Sequence, residues 1–297
     1  MNQTEPIISV IIVNWKVRKL LEKCLQAVIS ETKDYSREIF VVDNDSRDST
    51  SEMVMSEFPE VTMIALPSNH GFARANNLAL RQARGKYLFL LNPDTEVQPG
   101  FFQRIIEHLD RHPEIKALAP KILNKDLTIQ PSVRRFPNLL SQIMVLLKLS
   151  NIWPNHRLLR YYLATDFDYT RTQLIEQMMG AAMVWRRELL AEVGYFDAKF
   201  FIWFEEVDWC QRAQAKGVAI EYYPEASLVH YGGASFGQQK KFWKQLVFDW
   251  SLLYYFIKHQ GVIKSIIILL FIPLNLFLTL GYIFWTNRNR EFDLDIL

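Results

Sequence analysis

The chain has 297 residues, which is room for one large domain with an appendage or for two small domains. Its 34 basic and 32 acidic side chains give a formal net charge of +2, so nothing in the charge balance calls for a nucleic-acid partner, and we predict none. The two cysteines, Cys24 and Cys210, form no C-x-x-C unit, and we expect both to be buried, reduced thiols.

The first ninety residues alternate between short apolar runs and segments with helical spacing. The apolar runs predict strands at residues 7–13, 39–42, 61–66 and 86–91. Helices are predicted near residues 20–28, after Ser49 and at residues 73–83, and Ser49 with Glu52 has the spacing of a capping box. This βαβ series predicts an α/β fold with a mostly parallel sheet flanked by helices.

The later elements are less regular. A helix is predicted at residues 101–109, a strand near 117–119, an amphipathic helix at 139–149 and a strand at 178–184. No G-x-G-x-x-G follows the first strand and no Walker A sequence occurs, which argues against common dinucleotide oxidoreductases and P-loop kinases.

Asp94 follows the fourth predicted strand, directly after Asn92 and Pro93. Because proline cannot donate to a strand ladder, the strand ends there and Asp94 lies at its carboxyl end. Ligands bind outside such ends in open α/β sheets, and a carboxylate there can hold a divalent cation that in turn binds a diphosphate. The alternative is a turn aspartate that only hydrogen-bonds its own backbone.

Polar residues also follow the second and third predicted strands. Asp43 ends the second strand, where acidic side chains commonly bind the ribose or base of a nucleotide. After the third strand, Gly71 allows a ligand close to the backbone, and Arg74 lies near a helix N-terminus and suits a diphosphate. An ordinary turn is the alternative for Asp43, and a solvated helix face is the alternative for Arg74.

A third acidic cluster follows an aromatic run at residues 200–204. Glu205, Glu206 and Asp208 begin a predicted helix, whose N-terminus keeps a carboxylate ionised, while the aromatic wall could stack on a sugar. Asp208 and Arg212 are four residues apart and are predicted to pair, which leaves Glu206 as the predicted general base and Glu205 as its rival. The alternative is that these acids only complement the helix dipole.

His230 closes a predicted strand at residues 226–229 and precedes Gly232 and Gly233. An imidazole in this position could complete a metal site with Asp94. A hydrogen-bonded core histidine is the alternative.

The C-terminal part, residues 237–297, is predicted to contact a membrane. Residues 266–285 are uncharged and long enough to cross a bilayer, although Pro273 and Asn275 interrupt the run. Residues 242–257 mix aromatic and charged side chains, as suits the headgroup zone. The segment is predicted either to span the bilayer or to lie on it, with a buried helical hairpin as the alternative. The polar first residues predict no signal peptide, so the expected location is the cytoplasmic face of the cell membrane.

The motifs together resemble a known family. They are SVIIVNW, VVDNDSRDST, NHGFARANN, YLFLLNPDTEV, GAAMVWRRELLAEVGYFDAKFFIWFEEVDWCQR and LVHYGGAS, in that order. Their combination is similar to the inverting family 2 glycosyltransferases, and most similar to the bacterial rhamnosyltransferase-like branch. The resemblance covers roughly residues 7–236, which we expect to form the catalytic domain (residues 1–236).

The resemblance implies a GT-A fold that uses a nucleotide-diphospho-sugar and a divalent cation, Mg²⁺ or Mn²⁺. It implies that Asp43 contacts the nucleoside, that Asp94 is the metal aspartate, and that Glu206, in the second place of the acidic pair, supplies the base. His230 matches a position at which some members add a metal-binding histidine. The other assigned residues are Gly71, Arg74, Asn77, Asn14, Asn92 and Gly180 on the donor side, and Trp203 and Asp208 on the acceptor side.

Two departures from the family pattern are visible. The metal motif reads Asn92-Pro93-Asp94, so its first acid is missing. The presumed base is a glutamate where aspartate is usual, so its reach is longer.

The predicted function is transfer of a sugar from a dTDP- or UDP-sugar to a hydroxyl of a glycan or polyprenyl-linked acceptor in cell-surface polysaccharide synthesis. One alternative is a catalytically inactive carbohydrate-binding or membrane scaffold protein. A sugar nucleotidyltransferase is the other, and it is disfavoured because Asn14-Trp15-Lys16 stands where a Gly-rich phosphate loop would be.

Overall fold

The computed structural model describes residues 5–288, with eleven strands and eleven α-helices in that part of the chain. The strands are β1 (Ile8–Asn14), β2 (Arg37–Asp43), β3 (Val61–Ala65), β4 (Tyr87–Leu91), β5 (Thr95–Val97), β6 (Ala117–Leu123), β7 (Val133–Arg134), β8 (Gln173–Leu174), β9 (Gln177–Met178), β10 (Ala182–Arg186) and β11 (Ile220–His230). The helices are α1 (Arg18–Thr32), α2 (Thr50–Glu57), α3 (Phe72–Leu80), α4 (Phe101–Arg111), α5 (Leu139–Leu146), α6 (Leu149–Ile152), α7 (Arg157–Tyr162), α8 (Leu189–Glu192), α9 (Glu205–Ala215), α10 (Lys241–His259) and α11 (Val262–Arg288).

Nine strands form one sheet in the order β3-β2-β1-β4-β10-β6-β11-β5, with β8 also paired to β11. Six of them, β1, β2, β3, β4, β6 and β11, point the same way, whereas β5, β8 and β10 run antiparallel to their neighbours. β7 and β9 form a separate two-stranded antiparallel sheet. The predicted α/β fold with a mostly parallel sheet is confirmed.

Helices cover both faces of the sheet, which is why its central strands are apolar. Every residue of β1 and β4 is buried. Side chains of β1 alternate between two clusters: Ile12 packs with α1 and α4 on one face, and Ile11 packs with α3 and α9 on the other. Cys24 lies in the first cluster and Cys210 in the second, both as free thiols, so the prediction of buried, unpaired cysteines is confirmed.

The C-terminal helices build a third apolar cluster. Phe248, Leu252 and Phe256 of α10 pack with Phe200 and Phe204, which lie just before α9. α11 packs along α10 and also contacts α5. Within the described chain, α11 contains the only helix segment, Val262–Phe284, that is long and apolar enough to cross a bilayer.

Two local predictions are wrong. α2 begins after Ser49 as expected, but Ser49 has φ 59° and its side chain makes no capping hydrogen bond; the Thr50 hydroxyl donates instead to Asp48 at 2.6 Å. The predicted strand at residues 178–184 is two strands, because the chain turns at Gly180 and only the second part, β10, joins the main sheet.

Gly71 determines how closely the segment before α9 approaches α3. The backbone N–H of Phe72 donates to the carbonyl oxygen of Phe201 at 2.7 Å, directly beside Gly71, whose φ is +81°. A Cβ atom added to Gly71 would lie 2.2 Å from that carbonyl oxygen. Both the backbone conformation and the contact therefore require glycine.

We expect Gly71→Ala to lower the free energy of unfolding by about 2 kcal/mol or more, since a left-handed backbone costs an L-residue about 1 kcal/mol and the new methyl group overlaps Phe201. Gly217→Ala is the matched control, because Gly217 has φ +76° but nothing lies within 4 Å of its added Cβ. Urea unfolding should show the larger loss for Gly71→Ala. Equal losses would contradict a steric role for the Phe201 contact.

Candidate active site

The candidate site lies at the carboxyl edge of the sheet, where neighbouring strands end in polar residues. Asn14 ends β1 and Asp43 ends β2, and the two residues are paired in the strand register. Asn92 and Asp94 follow β4, the other neighbour of β1. Because parallel strands end at the same edge, these side chains share one surface of the molecule, and the predicted positions of Asp43 and Asp94 at strand ends are confirmed.

Asp43 is oriented by a hydrogen-bond network. Asn14 Nδ2 donates to Asp43 Oδ1 at 3.2 Å and to Ser46 Oγ at 3.0 Å, and the Ser46 hydroxyl also donates to Asp43. The Asp43 residue is 7% exposed. The network fixes the carboxylate before a ligand arrives, so the structure gives Asn14 the role of positioning Asp43.

Asn44 joins this edge to the start of α3. Its Oδ1 accepts from the backbone N–H of His70 at 2.7 Å, and its Nδ2 donates to the carbonyl of Gly71 at 3.2 Å. The sequence predicts close approach of a ligand at Gly71, whereas in the structure the close approach is made by Phe201 of the chain itself.

Arg74 and Asn77 both lie on α3 but in different surroundings. Arg74 is exposed and has no hydrogen-bond or ion-pair partner within residues 5–288, so its guanidinium is available to a ligand anion. Asn77 is buried, donates to the carbonyl of Phe196 at 2.8 Å and accepts from the Phe196 N–H at 3.1 Å. Both ends of its amide are used, so the structure places Asn77 as a tie between α3 and the segment before α9, not as a donor ligand.

Asp94 and His230 are far apart in the sequence but lie close together in the structure. His230 ends β11 opposite Thr95, the first residue of β5, and its Nε2 lies 3.4 Å from Asp94 Oδ1. Its other ring nitrogen, Nδ1, lies 2.7 Å from Gln130 Oε1. Because an amide oxygen can only accept, Nδ1 carries a hydrogen, and Nε2 is the ring nitrogen that faces Asp94.

This pair fits a divalent cation in its donor chemistry. His230 Nε2 is buried and has no hydrogen-bond partner among residues 5–288, and its Nδ1 is held by a neighbouring side chain, as is usual for metal-binding histidines. In the same part of the chain, no three His, Cys, Asp or Glu side chains cluster closely enough to hold a metal ion. A cation at Asp94 and His230 would therefore need further ligands from a substrate or water.

The segment before α9 is strained. Trp203 has φ 65° and Phe204 has φ 68°, a conformation that costs bulky L-residues of order 1–3 kcal/mol each. Of the nine described non-glycine residues with positive φ, six lie in the loops of this edge: Lys16, Asp45, Arg47, Ser49, Trp203 and Phe204. Strain of this kind is concentrated at functional sites, and here it delivers the acidic pair to the start of α9.

Glu205 and Glu206 are unequal despite being neighbours. Burial raises the pKa of the Glu205 carboxyl well above its ordinary value and the charge of Glu206 raises it further, while backbone N–H groups lower it in part. Burial also raises the pKa of Glu206, but backbone N–H groups and the positive charge of Arg134 act against the rise. The pKa of Glu205 is therefore raised more strongly than that of Glu206, so Glu206 is the member of the pair that ionises more readily.

Gly180 connects Glu206 with the Asp94 side of the site. A Cβ atom added to Gly180 would lie 3.9 Å from the Glu206 Cδ and 3.8 Å from the ring of Phe72. The next residue, Ala181, accepts a hydrogen bond from the backbone N–H of Asn92 at 2.9 Å. The acidic pair, the start of α3 and the end of β4 are therefore in contact through one turn of the chain.

Trp203 and Asp208 lie on the two sides of the acidic pair. The ring of Trp203 is half-buried and packs on Phe236, with ring centres 4.5 Å apart. Asp208 is fully buried and pairs with Arg212 Nε at 2.9 Å, which confirms the predicted pairing.

Asp208 is also bound by α10. Its Oδ1 lies 2.7 Å from both Lys258 Nζ and His259 Nε2. Burial alone would raise its pKa, but the bonds from His259 and Lys258 and the charge of Arg212 outweigh it and lower the pKa. With its carboxylate enclosed by three basic side chains, Asp208 fastens α9 to α10 and does not reach an acceptor.

A cavity of about 470 Å³ opens beside the Asp43 end of the site. Its lining combines loops after β1 and β2 with the segments before α3 and α9 and the start of α10: Trp15, Lys16, Asp45, Arg47, Asn69, Phe201, Gln239 and Trp243. The volume is in the range of small-ligand pockets, and the mixture of aromatic and charged side chains suits a nucleoside. Neither Asp94 nor Glu206 lines this cavity, so it adjoins only the Asp43 end of the site.

Two site residues are missed by sequence reasoning. Gln130, which orients His230, lies 100 residues away from it in the chain, and no local pattern marks it. Arg134, whose charge acts on Glu206, lies on the two-residue strand β7 in a part of the sequence without clear periodicity. Trp15 and Lys16, by contrast, directly follow the first strand, and that position marks them as candidates.

Comparison with known proteins identifies the family. The family model for Glycosyl transferase family 2 matches residues 9–167, which is more than half of the chain. The N-acetylglucosaminyl-diphospho-decaprenol L-rhamnosyltransferase of Mycobacterium tuberculosis is 25% identical over 243 residues, 78% of each chain. The dTDP-rhamnosyl transferase RfbF of Shigella flexneri is 23% identical over 211 residues, 70% of this chain and 64% of that protein.

Solved structures share the fold. The mannosyltransferase PcManGT from Pyrobaculum calidifontis, in complex with GDP-Man and Mn²⁺, is similar with a TM-score of 0.53 and 16% identity over 98% of this chain and 77% of that one. GalNAc-T7 with UDP, GalNAc and Mn²⁺ is similar with a TM-score of 0.56 and 16% identity, and the match covers 77% of this chain but 44% of that one. At such low identity the likeness shows the fold alone, and it confirms the predicted GT-A architecture.

The six motifs, the strand-end site that they form and the family match agree: this chain belongs to glycosyl transferase family 2 and is similar to rhamnosyltransferases of that family.

Proposed function

We propose that the protein transfers a sugar from a nucleotide-diphospho-sugar to a hydroxyl group of a glycan or lipid-linked acceptor, with inversion at the anomeric carbon. The observation that carries the proposal is the position of Glu206. Its Oε2 atom has no hydrogen-bond partner among residues 5–288, and its carboxyl faces Gly180. The next residue, Ala181, accepts a hydrogen bond from the backbone N–H of Asn92, two residues before Asp94. A base so placed is connected to the donor-side residues through the turn at Gly180.

In the proposed reaction, Glu206 accepts the proton of the acceptor hydroxyl while the hydroxyl oxygen attacks the anomeric carbon. The bond between that carbon and the diphosphate oxygen breaks, and the nucleoside diphosphate leaves from the opposite face. Burial raises the pKa of Glu206, which makes it a stronger base than an exposed glutamate. The pKa of Glu205 beside it is raised more strongly, by burial and by the charge of Glu206, so Glu205 is the member of the pair that takes up a proton first.

The donor side is formed by the strand ends and by α3. Asp43, fixed by Asn14, is placed to accept a hydrogen bond from the nucleoside, and the unpaired guanidinium of Arg74 can bind diphosphate oxygens. Asn92 and Gly180 lie between these groups and Glu206. A dTDP- or UDP-sugar is proposed because RfbF is named a dTDP-rhamnosyl transferase and TarS of S. aureus, with a TM-score of 0.51, was solved with UDP-GlcNAc.

Asp94 and His230 would hold a divalent cation, Mg²⁺ or Mn²⁺, through the Asp94 carboxylate and His230 Nε2. When bound, the ion supplies positive charge that stabilises the diphosphate leaving group. The Mn²⁺ in PcManGT and GalNAc-T7 supports this assignment. Gln130 keeps the His230 ring in the tautomer that exposes the Nε2 lone pair.

The acceptor is proposed to be carried on a polyprenyl lipid at the cytoplasmic face of the membrane, in polysaccharide synthesis. The M. tuberculosis relative is named for a diphospho-decaprenol substrate, and RfbC of Myxococcus xanthus, 26% identical over 230 residues, is named for O-antigen biosynthesis. The C-terminal helices, which expose a long apolar segment, are proposed to bind the membrane beside the aromatic wall at Trp203.

Glu206→Gln removes the base at nearly constant volume, so we expect kcat to fall by about 10²–10⁴-fold. Glu205→Gln is the matched control, since it makes the same change in the neighbouring carboxyl, whose pKa is raised more strongly, and its effect should be far smaller. The measurement is donor-dependent sugar transfer, with thermal unfolding to check that both variants are folded. A larger loss of kcat for Glu205→Gln than for Glu206→Gln would indicate that Glu205, not Glu206, is the general base. Absence of turnover in the unchanged protein would favour the inactive carbohydrate-binding or scaffold alternative.

Arg134→Gln should shift the pH profile of kcat/KM. The positive charge of Arg134 lowers the pKa of Glu206, so its removal raises that pKa further. A general base works when deprotonated, and activity is lost as the pH falls through its pKa; the acidic limb of the profile should therefore move to higher pH. Arg135→Gln is the control, because Arg135 pairs with Asp166 instead. An unmoved limb, or one moved to lower pH, would contradict the assignment of Glu206 as base.

A further inference from the structure

The two C-terminal helices form an antiparallel hairpin, Lys241–Phe284, with contacts along its length. Near the open end, Lys241 Nζ lies 5.6 Å from the ring centre of Tyr282. In the middle, Asn275 Nδ2 donates to both oxygens of Asp249, at 2.7 and 2.9 Å. α10 and α11 therefore lie side by side along their length, and α11 cannot enter a membrane independently of α10.

The polarity of α11 is inverted relative to a helix that faces water. Three of its polar side chains point inward: Ser265, Asn275 and Thr279 are 5%, 0% and 5% exposed. The outward face is apolar at seven-residue intervals, with Ile263, Leu270, Phe277 and Phe284 between 71% and 77% exposed. Side chains seven residues apart lie on one face of a helix, so a continuous apolar stripe runs along all of α11.

The charge of the hairpin region suits an anionic lipid surface. Residues 240–284 contain five lysines and one acid, Asp249, which is buried. Lys240, Lys241 and Lys244 lie at one end of the helix pair, and Lys264 lies at the other. Lys258 is also near that second end, but it pairs with Asp208. α10 adds the exposed side chains of Leu246, Trp250 and Ile257 to the apolar surface. Basic flanks around an apolar face are typical of helices that lie in a membrane interface.

α10 is fastened to the catalytic part of the chain from end to end. The ring of Trp243 packs on Phe201 with centres 5.7 Å apart, and the Ser251 hydroxyl donates to the carbonyl of Ile202 at 3.0 Å. At the far end, Lys258 pairs with Asp208 at 2.7 Å. No part of α10 from residue 243 to 258 can therefore enter a bilayer without taking the strained 200–204 loop with it.

This attachment decides how α11 meets the membrane. The Val262–Phe284 segment is about 34 Å long, close to the thickness of the hydrocarbon core. If α11 crossed the bilayer, α10, the start of α9 and the irregular 200–204 backbone beside it would lie at the same depth. Residues 201–203 are only half-buried, and irregular backbone that is exposed to lipid chains does not occur within the hydrocarbon core.

We propose that the hairpin is a monotopic membrane-binding surface: α11 lies parallel to the bilayer plane, with the stripe Ile263–Leu270–Phe277–Phe284 inserted in one leaflet, and it does not cross. The proposal rests on the proposed membrane association and adds its geometry. It places Glu206, at the start of α9, about 10 Å (one helix diameter) above the lipid headgroups, where the head of a lipid-linked acceptor lies.

Depth measurements on labelled cysteine variants test the proposal. Cys24 and Cys210 are buried, so a fluorophore attached to Ile263→Cys, Leu270→Cys, Phe277→Cys or Phe284→Cys labels one position in each protein. The probe is vesicles of phosphatidylcholine with phosphatidylglycerol that carry quenchers at known depths. Met55→Cys, an exposed position on α2, is the control outside the membrane surface.

We expect all four hairpin labels to be quenched at one shallow depth, about 5–10 Å below the headgroups, and to be reached by a membrane-impermeant reagent added outside. The Met55 label should not be quenched. A crossing helix would instead give a depth maximum near residues 270–277 and protect one end from the reagent, which would overturn the proposal.

Vesicles that leave all four labels unquenched would also overturn the proposal, together with membrane association. Neither outcome affects sugar transfer to a water-soluble acceptor, so failure here is distinguishable from failure of the proposed activity.

Discussion

The contact between Phe201 and Gly71 is the constraint on which the candidate site depends. It joins the start of α3, which carries Arg74 and is hydrogen-bonded to Asn44, to the strained segment that leads into α9. Because the carbonyl of Phe201 occupies the space that any Cβ would need, the acidic pair can approach the strand ends only beside a glycine. The strand-end residues and the acidic pair are thus linked through backbone contacts.

The second requirement is that α9 be anchored from behind. Asp208 binds Arg212 on its own helix and Lys258 and His259 on α10, so the helix that presents Glu206 is fixed by charge pairs inside the apolar cluster of the C-terminal helices. Removing one partner of such a buried network leaves an uncompensated charge, which is strongly destabilising. The C-terminal helices therefore support the active site directly, and the same contacts determine how the chain can lie on a membrane.

Much of the fold can be predicted from the sequence, because buried parallel strands appear as apolar runs and the polar residues that follow them indicate the edge of the sheet. That logic places Asp43, Asp94 and His230 at strand ends, as the structure does. It fails where contacts between distant parts of the chain determine the role of a residue. Asn77 is hydrogen-bonded to Phe196, and Asp208 is enclosed by basic side chains of α10; sequence spacing cannot predict either contact. The turn at Gly180 could not be predicted, because it lies within an apolar run that is typical of a single strand.

We propose that Glu206 activates the acceptor on the face of the sugar opposite the leaving diphosphate, within one displacement. The most direct test is the anomeric configuration of the product, measured by proton NMR during turnover of a sugar nucleotide of known configuration. If Glu206 acts in this way, the new glycosidic bond has the opposite anomeric configuration to the donor from the first turnover. A product that retains the configuration of the donor would contradict the single displacement and the role given to Glu206.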